Sequence, residues 1–255
     1  METGTVSVTE VCGWVSTARS VTFLTGAGAS TDSGIPDFRG PQGVWTKDPS
    51  AQAMFTLQNY LADPEVRRRA WRSRRDHPVW HARPNPAHEA IASFWAGGRG
   101  RAVVTQNIDG LHQSAGLPAD AVVEIHGTLR EAECLDCGQR VPMPEALARI
   151  DAGEADPACT DCGGVQKSAT ISFGQSLVRE VLDEAVAAAR DCDLLVTAGT
   201  SLQVHPAASL CDIAQGSGAR LVVLNAEPTP YDAQADAVLR EPLGRLLPEL
   251  LAVTP

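Results

Sequence analysis

The chain has 255 residues, 44% of them hydrophobic and 20% charged, which is ordinary globular composition with length for one large domain and a smaller lobe. No apolar run reaches the roughly 18 residues needed to span a bilayer, and residues 1–11 lack a basic segment followed by an apolar core, so a cytoplasmic protein is expected. The net charge of −10 disfavours a nucleic-acid backbone and favours basic partners, although it also serves plain solubility.

In chain order, short apolar runs that are partly β-branched and bounded by Gly, Asn or polar residues predict strands at 21–25, 102–105, 122–125, 194–198, 221–225 and 237–239. Helical spacing predicts helices over 107–115, 177–190 and 206–215. This alternation implies an α/β fold with a doubly wound parallel sheet of the Rossmann type. Two segments break it: 41–99, rich in Arg, Trp and Pro, and 127–169, which holds paired cysteines. Both are expected as insertions forming a second lobe. Beyond the cysteine pairs there is no internal repeat and no low-complexity tract.

A parallel sheet binds its ligand beyond the carboxyl ends of its strands, and each expected strand end here is polar or glycine-rich. The first opens through Gly26-Ala27-Gly28-Ala29-Ser30 onto an expected helix, where backbone N–H groups can approach a pyrophosphate. Gly34-Ile35-Pro36-Asp37-Phe38-Arg39-Gly40 follows four residues later and adds an arginine and an aromatic ring. The second strand leads to Gln106-Asn107-Ile108-Asp109-Gly110, the third to His126-Gly127, the fourth to Gly199-Thr200-Ser201 and the fifth to Asn225-Ala226-Glu227. Singly these signals are weak, since GxG turns recur in many folds and an isolated histidine is more often a hydrogen-bonded structural residue. Their joint position gives them weight.

Cys134-Leu135-Asp136-Cys137 and Cys159-Thr160-Asp161-Cys162 are two CxxC knuckles separated by 21 residues, within reach of one tetrahedral zinc. Gly138 and Gly163 follow them and permit the tight turn that points backbone amides at thiolate sulfur. Disulfides or redox dithiols are the competing reading, and a reducing compartment disfavours them. Four cysteines leave no open coordination position, so the expected zinc is structural. Cys12, Cys192 and Cys211 lie in apolar contexts and are expected as small core residues.

Taken together, GAGAS with GIPDFRG, the run from Thr105 to His112, His126-Gly127, the two CxxC pairs, Phe173-Gly174 and the run from Gly199 to Ala207 resemble the sirtuins, NAD-dependent protein lysine deacylases. The resemblance spans about residues 20–240. It implies an NAD-binding domain of Rossmann type from residues 1–40, 86–126 and 170–255. It also implies a small lobe with a helical module at 41–85 and a zinc module at 127–169, with NAD and an acyl-lysine peptide in the cleft between lobes.

Position by position, the resemblance implies that Gly26, Ala27, Gly28, Ser30 and Arg39 meet the pyrophosphate while Phe38 shields the anomeric carbon. Ile35 and Asp37 lie on a loop that opens and closes. Asn107, Ile108 and Asp109 form the nicotinamide pocket, with Gln106 beside the ribose. Gly199, Thr200 and Ser201 line the phosphate side, and Asn225 with Glu227 hold the adenosine ribose or are ordinary turn residues. His126 is the implied general base, since an imidazole near its ordinary pKa of about 6.5 accepts a proton at neutral pH. The peptide is expected as an added strand between residues 173–176, including Phe173 and Gly174, and residues 203–206, including Val204.

Two departures bear on the acyl group. Sirtuins that prefer succinyl or malonyl groups carry a tyrosine and an arginine three apart, and here Trp71-Arg72-Ser73-Arg74 keeps the arginine without the hydroxyl. A neutral acyl preference is expected, with Trp71 and Arg74 at that pocket, unless Trp71 is simply a core residue. Gln175 stands where many relatives carry glutamate. Of the rivals, a dehydrogenase is disfavoured by Thr31 at the third glycine position, and a zinc-ribbon nucleic-acid binder by the acidic total. Mono-ADP-ribosyl transfer at the same site remains the alternative.

Overall fold

The computed structural model describes residues 6–38, 40, 43–48, 51 and 54–252. The chain begins with α1 (Val8–Thr17), started by a reciprocal cap in which Ser7 and Glu10 satisfy each other's backbone N–H. Next come β1 (Val21–Thr25), α2 (Val44–Lys47), α3 (Leu57–Ala62), α4 (Pro64–Arg75) and α5 (Pro86–Ala96), then β2 (Gly100–Thr105), α6 (Leu111–Ser114) and β3 (Val122–Glu124). The middle of the chain forms β4 (Gly127–Cys134), β5 (Arg140–Pro142), α7 (Met143–Asp151) and β6 (Gln166–Thr170). It closes with α8 (Arg179–Arg190), β7 (Leu194–Ala198), α9 (Leu210–Gly216), β8 (Arg220–Leu224), β9 (Ala237–Leu239) and α10 (Leu243–Leu251).

Six strands make a parallel sheet in the order β3-β2-β1-β7-β8-β9. Its inner strands are buried on both faces, which is why they read as continuous apolar runs rather than alternating ones. The period of two still sorts their side chains. Phe23, Val103, Val196 and Val222 pack with α1, α5 and α10 on one face, while Leu24, Val104, Leu195 and Val223 pack with α8 and α9 on the other. The strand order reverses between β1 and β7, the switch point beyond whose carboxyl ends a parallel sheet of this kind binds its ligand.

The smaller lobe is a three-stranded antiparallel sheet, β5-β4-β6, packed on α4 and α7 through Trp71, Ala132, Met143, Ala146 and Ile150. The α4 helix starts where Asp63 accepts from the Glu65 amide ahead of Pro64 at its first turn.

Several expected elements differ. The helix expected over 107–115 is only α6, because the Asp109 carboxylate accepts from the Leu111 amide and Gly110 is left-handed at φ +69°. Residues 107–110 therefore stay a loop that can carry side chains toward the switch point. The turn after β1 continues as two 3₁₀ turns, Ala27–Ala29 and Thr31–Ser33, and not as an α-helix. The expected helix at 206–215 is a 3₁₀ turn, Ala207–Ser209, followed by α9. Within the segment 41–99, α5 buries Ile91 and Phe94 against the large sheet.

Candidate active site

The loops after β1 and β7 interlock at the switch point. The Gly26 amide donates to Ala198 O at 3.0 Å and the Gly28 amide to Gly199 O at 2.9 Å. A Cβ on Gly28 would lie 2.8 Å from Gly199 Cα, and one on Gly199, itself at φ +64°, would overlap the backbone of Gly28 and Ala29. The amides of Gly26 and Gly28 are thus committed to the neighbouring loop, and what glycine supplies here is close backbone approach. Any amide of this turn that meets a pyrophosphate is therefore one other than those of Gly26 and Gly28. Thr200 is buried beside them, where its Oγ1 accepts from Gln106 Nε2 at 2.8 Å and from the Leu202 amide at 3.3 Å. Ser201 is half-buried on the same loop.

Under this junction lies a buried polar cluster. Asn107 donates through Nδ2 to Gly26 O and to Ser30 Oγ, each at 3.0 Å. The Ser30 hydroxyl donates to Asp109 Oδ2 at 2.7 Å, and the Asp109 carbonyl accepts from the Arg130 guanidinium at 2.7 and 3.2 Å. Ile108 holds the loop against β4 by accepting from the Leu129 amide, and packs with Ile35, Val79, Leu111 and Leu129. Ser30, Asn107, Asp109 and Ile35, read separately from the sequence, are thereby brought into one neighbourhood.

His126 sits between β3 and β4 and is half-buried. Its backbone is fixed by the Ile171 amide donating to His126 O at 2.8 Å, and the next turn needs Gly127, because at φ +74° a Cβ there would overlap Ala169 O. Its Nδ1 lies 3.2 Å from Gln106 O. A carbonyl can only accept, so Nδ1 carries the proton and Nε2 keeps its lone pair. Burial lowers the His126 pKa from its ordinary value, partly offset by this carbonyl. The ring is neutral, in a defined tautomer, with an acceptor nitrogen on offer.

Phe38 packs on Trp45 at 4.8 Å and on Phe55 at 6.0 Å, and Trp45 reaches Phe173 at 5.6 Å. The loop at Asp37 and Phe38 is tied to α2, since Asp37 O and Phe38 O accept from the Val44 and Trp45 amides at 2.8 and 3.0 Å. Arg39 lies outside the described residues.

Phe173 is 40% exposed, yet its backbone is engaged: its amide donates to Phe55 O and its carbonyl accepts from the Leu57 amide. A peptide strand therefore cannot use the Phe173 backbone on that edge, which narrows the expected docking segment to Gly174 onward. Gln175 does local work there, its Oε1 accepting from the Ser172 amide at 3.2 Å. Val204 is half-buried on the loop where His205-Pro206 is cis.

Trp71 is almost wholly buried in the core of the smaller lobe, as a core residue would be, and it also lines a cavity of about 10 Å³ with Tyr60, Arg74, Lys167, Ser168 and Ser172. Arg74 donates to Ser168 Oγ at 3.2 Å, lies 5.5 Å above the Phe55 ring, and is lowered to about 10 by burial. Asn225 donates through Nδ2 to Glu227 O, and Arg240 clamps both residues' carbonyls, so the two form a tied turn beyond β8.

The four cysteines of the paired knuckles place their sulfurs within 4.8 Å of one another, with Cys134–Cys162 at 3.5 Å and Cys137–Cys159 at 3.7 Å. Tetrahedral Zn–S bonds of about 2.3 Å require sulfurs about 3.8 Å apart. The donor set fits a structural zinc and leaves no position open. The amides of Gly138 and Gly163 donate to Cys134 O and Cys159 O, and it is Gly164 whose amide approaches the Cys162 sulfur.

His88 is a residue beside this cluster that the sequence reading did not single out. It is fully buried 3.4 Å from Ser30 Oγ. The signal was Asn85-Pro86-Ala87-His88, an N-cap, a proline at the first helical position and a histidine at the third.

A sequence model described as the Sir2 family matches residues 26–206. The chain is 56% identical over 231 residues to NAD-dependent protein deacetylase 2 of Streptomyces coelicolor, covering 91% of this chain and 96% of that one. It is 41% identical over 235 residues to NAD-dependent protein deacetylase 1 of Bradyrhizobium diazoefficiens, covering 91% of each. Among solved structures, a Sir2 variant with a deacetylated p53 peptide and 3′-O-acetyl ADP ribose superposes with a TM-score of 0.88 at 32% identity, over 97% of this chain and 98% of that one. Sir2Tm bound to a propionylated peptide gives 0.86 at 30% identity, with the same coverage. The chain belongs to the Sir2 family, the sirtuins.

Proposed function

We infer that the chain is an NAD-dependent protein lysine deacylase, which moves the acyl group of an acyl-lysine side chain onto ADP-ribose and releases nicotinamide. The observation that carries the residue assignment is His126, whose Nδ1–H is held by Gln106 O so that Nε2 is free to accept. The dinucleotide is a substrate, consumed in each turnover. The acyl carbonyl oxygen attacks the anomeric carbon of the nicotinamide ribose as the bond to nicotinamide breaks, its electron pair leaving with nicotinamide. His126 Nε2 then takes the proton of the ribose 2-hydroxyl, whose oxygen attacks the former carbonyl carbon. Water completes the release of lysine and O-acyl-ADP-ribose.

Asp109 and Asn107 face the nicotinamide carboxamide in this reading, Phe38 covers the anomeric carbon, and the loops at Gly26–Ser30 and Gly199–Ser201 bracket the phosphates. The peptide adds as a strand between Gly174–Ser176 and residues 203–206, a mode in which main-chain pairing tolerates many sequences. Trp71 supplies no hydroxyl for a distal carboxylate, and Arg74 is engaged by Ser168 and Phe55, which supports a neutral acyl group.

The test is mass spectrometry of NAD-dependent turnover on one peptide carrying acetyl, succinyl or a long acyl chain. Acetyl is expected fastest, and succinyl turning over faster would overturn the acyl assignment. His126→Ala is expected to lose about 10²–10⁴-fold in rate, the usual worth of a positioned base, and undiminished turnover would refute its role. Label from NAD appearing on the protein side chain, with no O-acyl-ADP-ribose, would instead identify mono-ADP-ribosyl transfer.

A further inference from the structure

His88 and His112 are both buried, their rings 4.9 Å apart at 62°, and neither takes part in the chemistry above. The hydrogen bonds around them fix the direction of every proton. The Asn85 amide lies 3.3 Å from His88 Nδ1, and a backbone amide can only donate, so Nδ1 accepts and Nε2 carries the ring proton. That Nε2–H faces Ser30 Oγ at 3.4 Å, while Asn107 Nδ2 donates to the same oxygen at 3.0 Å. A hydroxyl accepts two bonds and donates one. With both acceptor positions taken, the Ser30 proton goes to Asp109 Oδ2 at 2.7 Å, and the other Asp109 oxygen is fixed by the Leu111 amide at 2.9 Å. His112 backs the arrangement. Thr25 Oγ1 donates to Thr105 Oγ1 at 2.8 Å, so it accepts from His112 Nε2 at 2.9 Å, which fixes the ring that packs against His88.

We propose that His88 is a positioning residue of the nicotinamide pocket: its Nε2–H holds the Ser30 hydroxyl so that Ser30 orients the Asp109 carboxylate. The Asn85–His88–Ser30–Asp109 relay runs one way, from a backbone amide at the start of α5 to the carboxylate beyond β2. It ties the first turn of a helix on the large sheet to the loop that faces nicotinamide. Apo hydrogen bonds of catalytic groups are commonly long, and the 3.4 Å His88–Ser30 link is of that kind.

The inference rests on the deacylase reading, and its test separates the two. A glutamine side chain places an N–H near the histidine Nε2 position, whereas asparagine places an acceptor near Nδ1 and reaches no further. The relay therefore predicts that His88→Gln keeps nicotinamide inhibition, and exchange of labelled nicotinamide into NAD, within about threefold of the parent protein. His88→Asn is expected to weaken nicotinamide inhibition roughly tenfold with the peptide KM within about twofold. In a Ser30→Ala background, His88→Asn is expected to have no further effect, because the group through which it acts is gone. If His88 merely caps α5, the order reverses: Asn resembles the parent protein and Gln fails. That reversal overturns the proposal, as does an unchanged nicotinamide response in His88→Asn or a Ser30→Ala background in which His88→Asn still costs tenfold. Absence of NAD-dependent deacylation in the parent protein would sink the deacylase reading itself.

Discussion

At the scale of single residues the site works by fixing protons and backbones in place. Burial lowers the His126 pKa below the ordinary 6.5, so the base form dominates through neutral pH and is lost only as pH falls. The acid limb of kcat/KM is accordingly expected to have its midpoint below 6.5, and a profile from pH 5 to 8 with a midpoint at 7 or above would contradict the environment described for His126. Gly199 makes a second residue-scale prediction. Alanine there must both adopt a left-handed backbone and overlap the Gly28–Ala29 peptide, so Gly199→Ala is expected to cost roughly 2–4 kcal/mol. Gly34 is also left-handed but open, so Gly34→Ala is expected to cost only about 1 kcal/mol. Denaturant midpoints of the two variants decide it, and equal losses would show that close approach is not what Gly199 supplies. The sequence marked these glycines, and their close approach to each other adds a reason that local spacing does not show. Which amide a turn donates to depends on a loop more than 170 residues away, as with Gly28 and Gly199, and spacing within the turn carries no trace of it.

At the scale of elements, the inner strands were legible because they are buried on both faces, so their apolar runs are uninterrupted and their ends are polar, and the short edge strands β3 and β9 are still mostly buried. The helix at 107–115 misled because Asp109, Gly110 and Leu111 fit helical spacing while the Asp109 carboxylate and the left-handed Gly110 delay the helix start to Leu111. The paired cysteines were legible as one group from their spacing, and the structure brings their four sulfurs together. Their lobe needs a metal there. Its main buried cluster is only Trp71, Ala132, Met143, Ala146 and Ile150, too small to hold a three-stranded sheet by apolar burial alone. Removing zinc with a strong chelator, or Cys159→Ser, is expected to expose residues 127–169 to protease and shift Trp71 fluorescence. The six-stranded sheet should keep its far-UV signal. One zinc per chain by elemental analysis accompanies this, and full activity in a zinc-free protein would refute the coupling.

At the scale of the whole molecule, the fold concentrates buried histidines around the seam where sheet, α5 and the smaller lobe meet, and this sets a pH dependence of stability. Burial holds His112 at about 3 and His77 at about 4, with His88 and His126 also lowered. Each group resists protonation when folded and is free to protonate near 6.5 when unfolded. The unfolded chain therefore binds more protons below 6.5, and stability falls as pH falls through that window. His112 alone, with a folded value of about 3 against 6.5, accounts for about 2 kcal/mol of loss at pH 5. Glu124 acts in the opposite sense. Its carboxyl is raised by burial, so its contribution is present at low pH and lost as pH rises through its folded value. Four histidines set against one carboxyl leave the histidine sign in control between pH 5 and 6.5. Urea unfolding at pH 5, 6 and 7 is expected to show stability rising with pH, and His112→Phe is expected to flatten that rise. A level or falling curve would mean that these histidines are hydrated, and the tautomers assigned to His88 and His112 would then fail with it.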